Sequence, residues 1–438
     1  MERFSFHQKI FAIFTDLLDI NVNYIDLFAG AGGLSEGFKR AGFEPVAHVE
    51  IDSAACYTLK TRAAYHYLKS NNLFDNYLNY LKGDINRGEL YSFMPEELKN
   101  SVINKAIGEE NNVAIFGAID RQLSGKEVDL IIGGPPCQAY SLVGRARSDD
   151  GMKGDSRNFL YVQYAKYLER YQPKMFVFEN VLGLKSAGKG IYLHNMEKLF
   201  LKKGYKINIF SVKAENFGVL QKRRRLIIIG WRDDFVPNLP DLDNFKSGLS
   251  GVVSDLFSDL PDLQAGGGVD KFTQYTRTNN AYLATAHIRN GIDTLTQHIA
   301  RPHNIQDKEI YRIATDKWNN NGERLNYNDL PEHLKTHENR TSFFDRFKVV
   351  GGNLKASHTV VAHIAKDGHY YIHPDELQNR SISVREAARL QSFPDDFYFE
   401  GVKEGANRTA SFKQIGNAVP ALMAEMIAKA LFKDIILH

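Results

Sequence analysis

Only two cysteines, Cys56 and Cys137, occur in the 438 residues. Two thiols build no disulfide framework, and without a cysteine-rich run neither is a convincing metal ligand, so no metal site is expected. Charge of either sign is not in excess: 55 Lys and Arg stand against 52 Asp and Glu, a net +3. That balance neither demands nor excludes a nucleic acid, because recognition depends on a local patch and not on the total. No apolar run approaches the ~20 residues that span a bilayer. Residues 1–20 lack the basic, apolar and small-residue order of a secretory signal and read as a short amphipathic leader. The expectation is a cytoplasmic protein with no membrane partner. Internal repeats and heptads are missing too. What remains is a chain long enough for two or three domains, 43% apolar and able to bury a large core.

One stretch organises the rest. The largely apolar run 128–132 reads as a buried strand and ends in Gly133-Gly134-Pro135-Pro136-Cys137-Gln138. Prolines forbid helix and central strand, so a stiff turn delivers one cysteine at the carboxyl end of a strand, where open α/β sheets bind ligands. Met175 to Val181 is a second buried strand that ends in Glu179 and Asn180. A glutamate straight after four apolar residues is costly unless it sits at a strand tip and is paired, which favours a catalytic carboxyl. Gln221-Lys222-Arg223-Arg224-Arg225 runs directly into the strand Leu226 to Ile229. Alternation sends Gln221, Arg223 and Arg225 one way and Lys222 and Arg224 the other. The polar, glycine-hinged loop after Cys137 suits a closing lid.

Nearer the start, Asn23 to Phe28 reads as a strand, Ala29-Gly30-Ala31-Gly32-Gly33 as a glycine turn and Leu34 to Arg40 as the start of a helix. Twenty residues after Gly30, Glu50 ends the next strand, where a carboxylate binds a ribose diol. Asp26 before the turn would repel a pyrophosphate but accept from an ammonium group. A nucleoside with a positive or zwitterionic tail is implied, and S-adenosylmethionine fits. Leu81 to Ile85 supplies a third strand-end acid, Asp84. Residues 86–127, with a helix expected around Pro95 to Ile107, read as an insertion on the outer face.

From Arg232 to Asp262 seven aspartates face one arginine and one lysine, and Gly266-Gly267-Gly268 reads as a flexible break. Lys271 to Arg312 then carries six Lys and Arg against three acids, mixed with amides and aromatics, a blend suited to phosphate positioning and base reading or, equally, to a solvated face. This region is expected to form a second domain of short strands and loops. Regular patterning returns at Ser381, with a Ser383/Glu386 capping box, and the chain closes on a helix with a Leu422, Met423, Met426, Ile427, Ala430 and Leu431 stripe.

Six stretches in this order (Asp26 to Gly33, Gly134 to Gln138, Glu179 to Val181, Gln221 to Arg225, Arg385 to Pro394 and Gln414 to Pro420) resemble the ordered motifs of DNA (cytosine-5)-methyltransferases of the bacterial restriction-modification type. The resemblance spans residues 23 to about 432, apart from 86–127 and the middle domain. It implies an α/β fold, a doubly wound, Rossmann-like S-adenosylmethionine-dependent methyltransferase sheet with a smaller, irregular target recognition domain. Residues 1–239 would bind cofactor and catalyse, 240–375 would recognise the target and 376–438 would complete the catalytic domain. By the same resemblance Cys137 is the covalent nucleophile, Glu179 acts at cytosine N3, Arg225 lies near the flipped base, and Arg223 supports the loop or a phosphate. S-adenosyl-L-methionine, leaving as S-adenosyl-L-homocysteine, would contact Phe28, Gly30, Gly32, Leu34, Glu50, Ile51, Asp84, Ile85, Pro135, Asn417 and Val419. The implied partner is double-stranded DNA, with a companion endonuclease encoded nearby and the enzyme itself a monomer. Pro135 replaces a common phenylalanine, and Ala139-Tyr140 a common proline-phenylalanine, without removing a chemical group. Two rivals remain: a cytosine-5 methyltransferase acting on transfer RNA, which the large middle segment disfavours, and a non-catalytic DNA-binding regulator, which intact motifs disfavour.

Overall fold

The computed structural model describes residues 22–136 and 159–437. The leader, Cys137 and the polar loop that follows it lie outside those residues. Seven strands form one sheet: β1 (Val22–Leu27), β2 (Phe43–Glu50), β3 (Val102–Asn104), β4 (Leu130–Gly133), β5 (Met175–Asn180), β6 (Tyr205–Lys213) and β7 (Arg224–Arg232). Their order is β3-β2-β1-β4-β5-β7-β6. The first five are parallel, and β7 runs antiparallel to both β5 and β6. The direction of the chain reverses on either side of β1, the switch point at which doubly wound sheets open a ligand crevice.

The middle of the sheet is covered on both faces, which is why β4, β5 and β7 read as unbroken apolar runs. Tyr24, Leu130, Ile132, Val177, Ile227 and Ile229 face one core, shared with helix α1 (Gly33–Arg40). Ile25, Leu27, Ile131, Phe176, Phe178 and Leu226 face the other. The final helix, Ala421–Leu437, packs its apolar stripe onto α1 as its spacing predicts. Contact is backbone-close: a Cβ on Gly37 would stand 2.3 Å from the Glu425 amide nitrogen. Residues 408–436, the one described stretch with the length and hydropathy to cross a membrane, are largely buried in the protein.

Five expectations need correction. Asp84 and Ile85 end no strand; they follow a helix, Phe74–Lys82, whose cap is Gly83 in a left-handed conformation, and Asp84 is exposed. The third strand is β3, and its tip is Asn104. Residues 86–127 are therefore not an outer insertion. They supply β3 and the crossover helix Glu109–Leu123, whose Ile115 and Ile119 are buried under the sheet. A short helix, Glu96–Asn100, replaces the longer one expected there. Gly268 is no flexible break either, since it pairs with Ile299 and a Cβ on it would meet the His298 carbonyl oxygen at 2.0 Å. Finally, the middle region is not only short strands and loops, for Ile305–Asn321 is a 17-residue helix.

The composition shift at 240 does not coincide with a change of core. Leu242, Val253, Leu256, Leu283 and Ile288 join the catalytic core, as do Val360 and Tyr371. A separate small cluster holds Ile310, Tyr311, Leu325, Tyr327, Phe347 and Ile372. Helix Val384–Leu390 opens on the expected capping box. Buried ion pairs fix it: Arg389 contacts Asp259 at 2.6 Å and Asp395 at 2.5 Å, and its Glu386 contacts Arg380, just upstream of the helix, at 2.7 Å. Burial pushes the Glu386 carboxyl up, but Arg380 and then His373 outweigh it and hold it below the usual range.

Candidate active site

The carboxyl edge of the sheet gathers most of the expected residues. After β1 the chain turns through Phe28, Gly30 and Gly32 at φ of 57°, 55° and 83°. Left-handed backbone costs glycine nothing, but Phe28 holds it against a steric penalty, the kind of strain that functional turns keep. Gly32 also lacks room for a side chain, because Leu59 stands 2.8 Å from where a Cβ would be. At the tip of β2, Glu50 accepts from the Gly30 amide at 2.8 Å and the Asp52 amide at 2.7 Å. One carboxylate thus fixes the glycine turn to the second strand. Burial raises its pKa, and those two amides offset only part of the rise.

Ile51 follows with 66% of its surface exposed, an uncovered apolar side chain beside the carboxylate. Asn104 at the β3 tip donates to the carbonyls of Glu50 and Ile51 at 3.1 and 2.9 Å and accepts from Ser53. Sequence reasoning missed it; the cue was a strand-like Val-Ile pair ending in an amide. On the far side of the turn, Lys413 bonds Asp52 at 2.7 Å, and one turn later the same helix (Arg408–Asn417) ends at exposed Asn417.

Not every expected contact offers a side chain here. Leu34 and Val419 are buried in the core, so only their backbones are available; the Val419 carbonyl oxygen lies 2.3 Å from where a Gly33 Cβ would stand. Asp26 is corrected outright. It is 1% exposed and pairs with His48 at 3.3 Å, so it offers nothing to an ammonium group.

The second half of the edge is built on β4, β5 and β7. Gly133 lets β4 approach β1, since a Cβ would meet the Leu27 carbonyl oxygen at 2.6 Å. Gly134 brings the turn over Glu179, whose Oε2 lies 2.9 Å from where its Cβ would be. Asn180 holds the turn by donating to the buried Pro135 carbonyl at 3.3 Å, while its own Oδ1 accepts from the Val181 amide at 2.9 Å. Because β7 runs back along β5, Arg225 returns to the same edge and the same face as Glu179. The two side chains meet at 2.6 Å, Nε to Oε1, both nearly buried.

Arg223 does something else. It is fully buried and donates to the carbonyls of Val360 at 2.7 Å, Gly416 at 3.4 Å and Asn417 at 3.5 Å. It props the backbone from inside the protein, as the loop support expected of it would require, and does not share the Glu179 contact of Arg225. Gln221 is a similar tie, bonding Leu390, Gln391 and Val360.

These residues fit an adenosyl group. Glu50 keeps acceptor capacity, Ile51 is uncovered, and nothing stands within 4 Å of where a Gly30 Cβ would be. A doubly wound sheet with this nucleoside cradle beside a carboxylate–arginine pair defines an S-adenosylmethionine-dependent methyltransferase. The sequence profile of the C-5 cytosine-specific DNA methylases matches residues 22–85 and 98–433, and the chain belongs to that family. It transfers a methyl group from S-adenosylmethionine to C5 of cytosine in DNA.

Similar proteins include the type II methyltransferase M.Bpa9945I of Bacillus paralicheniformis, 40% identical over 446 residues that cover 94% of this chain and 98% of the relative. Another is M1.HphI of Haemophilus parahaemolyticus, 30% identical over 94% of this chain and 87% of its own length. The fold also matches a solved prophage-encoded protein from E. coli, to which a DNA modification methyltransferase role is ascribed. There the TM-score is 0.62 at 22% identity, over 95% of this chain and all of the other.

Proposed function

We propose that the enzyme is a type II modification methyltransferase that acts on a cytosine flipped out of duplex DNA through a covalent bond from Cys137. The observation that carries this reading is the Glu179–Arg225 pair beneath the Pro135 turn, whose next residue but one is Cys137. A thiolate adding at C6 pushes electrons from the 5,6 bond toward N3 and O2. Glu179, as the carboxylic acid, meets that charge by donating its proton at N3, and Arg225 stabilises the developing negative oxygen. The resulting enamine is nucleophilic at C5; when bound, S-adenosylmethionine supplies the methyl group there. Loss of the C5 proton to solvent, with the N3 proton returning to Glu179, expels the thiolate and restores the aromatic ring. The base must leave the stack for such an attack.

Residues 240–375 read the target in this account, supported by the separate small core around Tyr311 and Phe347. A companion endonuclease cutting the same sequence when unmethylated, and a monomeric enzyme, complete the proposal. Purified protein offered duplex DNA and transfer RNA should methylate the DNA alone, and bisulfite sequencing should place every methyl group in one short sequence context. Methyl transfer to transfer RNA only would overturn the reading.

Phe28, Gly30, Gly32, Glu50, Ile51 and Asn417 would hold the cofactor, with Asn104 fixing the Glu50–Ile51 corner. Glu50→Ala should weaken its binding by roughly 1.5–3 kcal/mol, the worth of a charge-assisted bond to the ribose. Because the Glu50 pKa is raised, its charge is lost earlier on acidification than that of a free glutamate. Wild-type affinity should therefore start to fall at a higher pH than an ordinary carboxylate predicts, and the alanine variant should lose that dependence. Calorimetric titration of the folded variant checks both; unchanged affinity would reject the assignment.

A further inference from the structure

The two ends of the β6–β7 ladder carry the same kind of charge in opposite circumstances. At the end away from the site, Lys206 and Arg232 are neutralised by Asp233 at 3.9 Å and Asp234 at 2.6 Å. At the end that carries Arg225, Lys213 stands directly opposite Arg224. Opposed residues on paired strands project to the same face, and like charges placed so destabilise the sheet. A third cation joins them. Lys185, in the short turn after β5, donates to Ser211 Oγ at 2.6 Å, and Ser211 lies two residues before Lys213 on the same face of β6. Lys222 follows by alternation from Arg224.

All four side chains are exposed, and none has an ion-pair partner among the described residues. Asp243, the carboxylate bonded at this end, is taken by the Ser211 amide at 2.6 Å. A solvated charge run would explain exposure, but it does not explain why Lys213 and Arg224 are set opposite one another without an ion pair while Lys206 and Arg232 each have one. Uncompensated like charges cost the fold something, and an anion brought from outside would offset that cost.

We infer that Lys185, Lys213, Lys222 and Arg224 form a seat for the phosphates of the DNA strand that carries the target cytosine. The seat lies across the sheet edge from the Glu179–Arg225 pair, which β7 itself places beside it: Arg225 and Arg224 are consecutive and face opposite ways. A backbone lying on one face would present its flipped nucleotide to the other. Contacts of this kind position the duplex and carry no sequence information. The inference rests on the proposed action on duplex DNA.

The test is binding of the full-length protein to a fluorescent 30-base-pair duplex across a series of salt concentrations. Each phosphate contact contributes about 0.9 to the slope of log affinity against log salt. The K185Q/K213Q/R224Q triple variant should lose roughly 2 to 3 from that slope and bind more weakly to every duplex by a similar factor. Its cofactor affinity and melting temperature should stay at or above wild type. Lys206→Gln, at the opposite end of the ladder, should leave the slope unchanged. A triple variant with the wild-type slope would overturn the phosphate seat alone. A wild type that binds no duplex would overturn the functional reading and this inference with it.

Discussion

A Cys137→Ser enzyme is expected to form no denaturant-resistant adduct with duplex DNA carrying 5-fluorocytosine at the target, where the wild type forms one. Fluorine cannot leave C5 as a proton does, so elimination of the thiol is blocked once the methyl group has been transferred. A serine hydroxyl is a far weaker nucleophile near neutral pH, and turnover should fall by at least about three orders of magnitude. The shape of the pocket is almost kept, so DNA and cofactor affinities should survive. The second thiol makes the assignment clean. Cys56 is buried, and burial, with the Glu50 carboxylate adding to it, pushes its pKa up to about 12. A thiol held in that form neither attacks C6 nor alkylates readily. Mass spectrometry should therefore find the adduct on the peptide containing Cys137. An adduct on the Cys56 peptide, or one persisting in the serine variant, would overturn the covalent mechanism.

The second large effect belongs to the pair at 2.6 Å. Glu179→Gln keeps hydrogen bonds to the base but removes the acidic proton that neutralises N3, and single-turnover methyl transfer should slow by roughly 10² to 10⁴. Arg225→Ala should slow it as well. Because each side chain fixes the other, the double variant should lose much less than the product of the two single losses. Strict additivity would mean that the two groups act independently, against their contact. Duplex affinity measured alongside separates a chemical defect from a binding one, since Glu179→Gln should leave it close to wild type.

What could be read from the chain, and what could not, divides by distance along it. β4, β5 and β7 were legible because a sheet buried on both faces demands continuous apolar runs, and β1 and β2 because a glycine turn and a strand-end acid mark their tips. The capping box at Ser383 and the last helix were legible for local reasons too. β3 was not: three residues carry no periodicity, and the Gly83-Asp84-Ile85 motif pulled the strand some twenty residues upstream. Alternation correctly separated Arg223 and Arg225 from Lys222 and Arg224. It could not tell the first two apart, because what distinguishes them is tertiary: Arg223 meets the carbonyls of Val360 and Gly416, and Arg225 meets Glu179. Asp26 failed in the same way. Its position before the turn was right, but its partner, His48, lies on the neighbouring strand. Gly268 read as a break because a glycine run says nothing of the carbonyl that its missing Cβ makes room for.

The contact between Gly37 and Ala424–Glu425 sets a schedule for synthesis. The helix behind the cofactor turn leaves the ribosome well before the helix that covers it. About 390 residues separate them, on the order of 20 to 80 s of elongation at common rates. Through that interval Leu34 and Phe38 have no permanent cover, and the nascent chain carries an apolar face of the kind that chaperones hold. The cofactor cradle hangs on the same helix, so it acquires its final shape only once the covering helix has emerged.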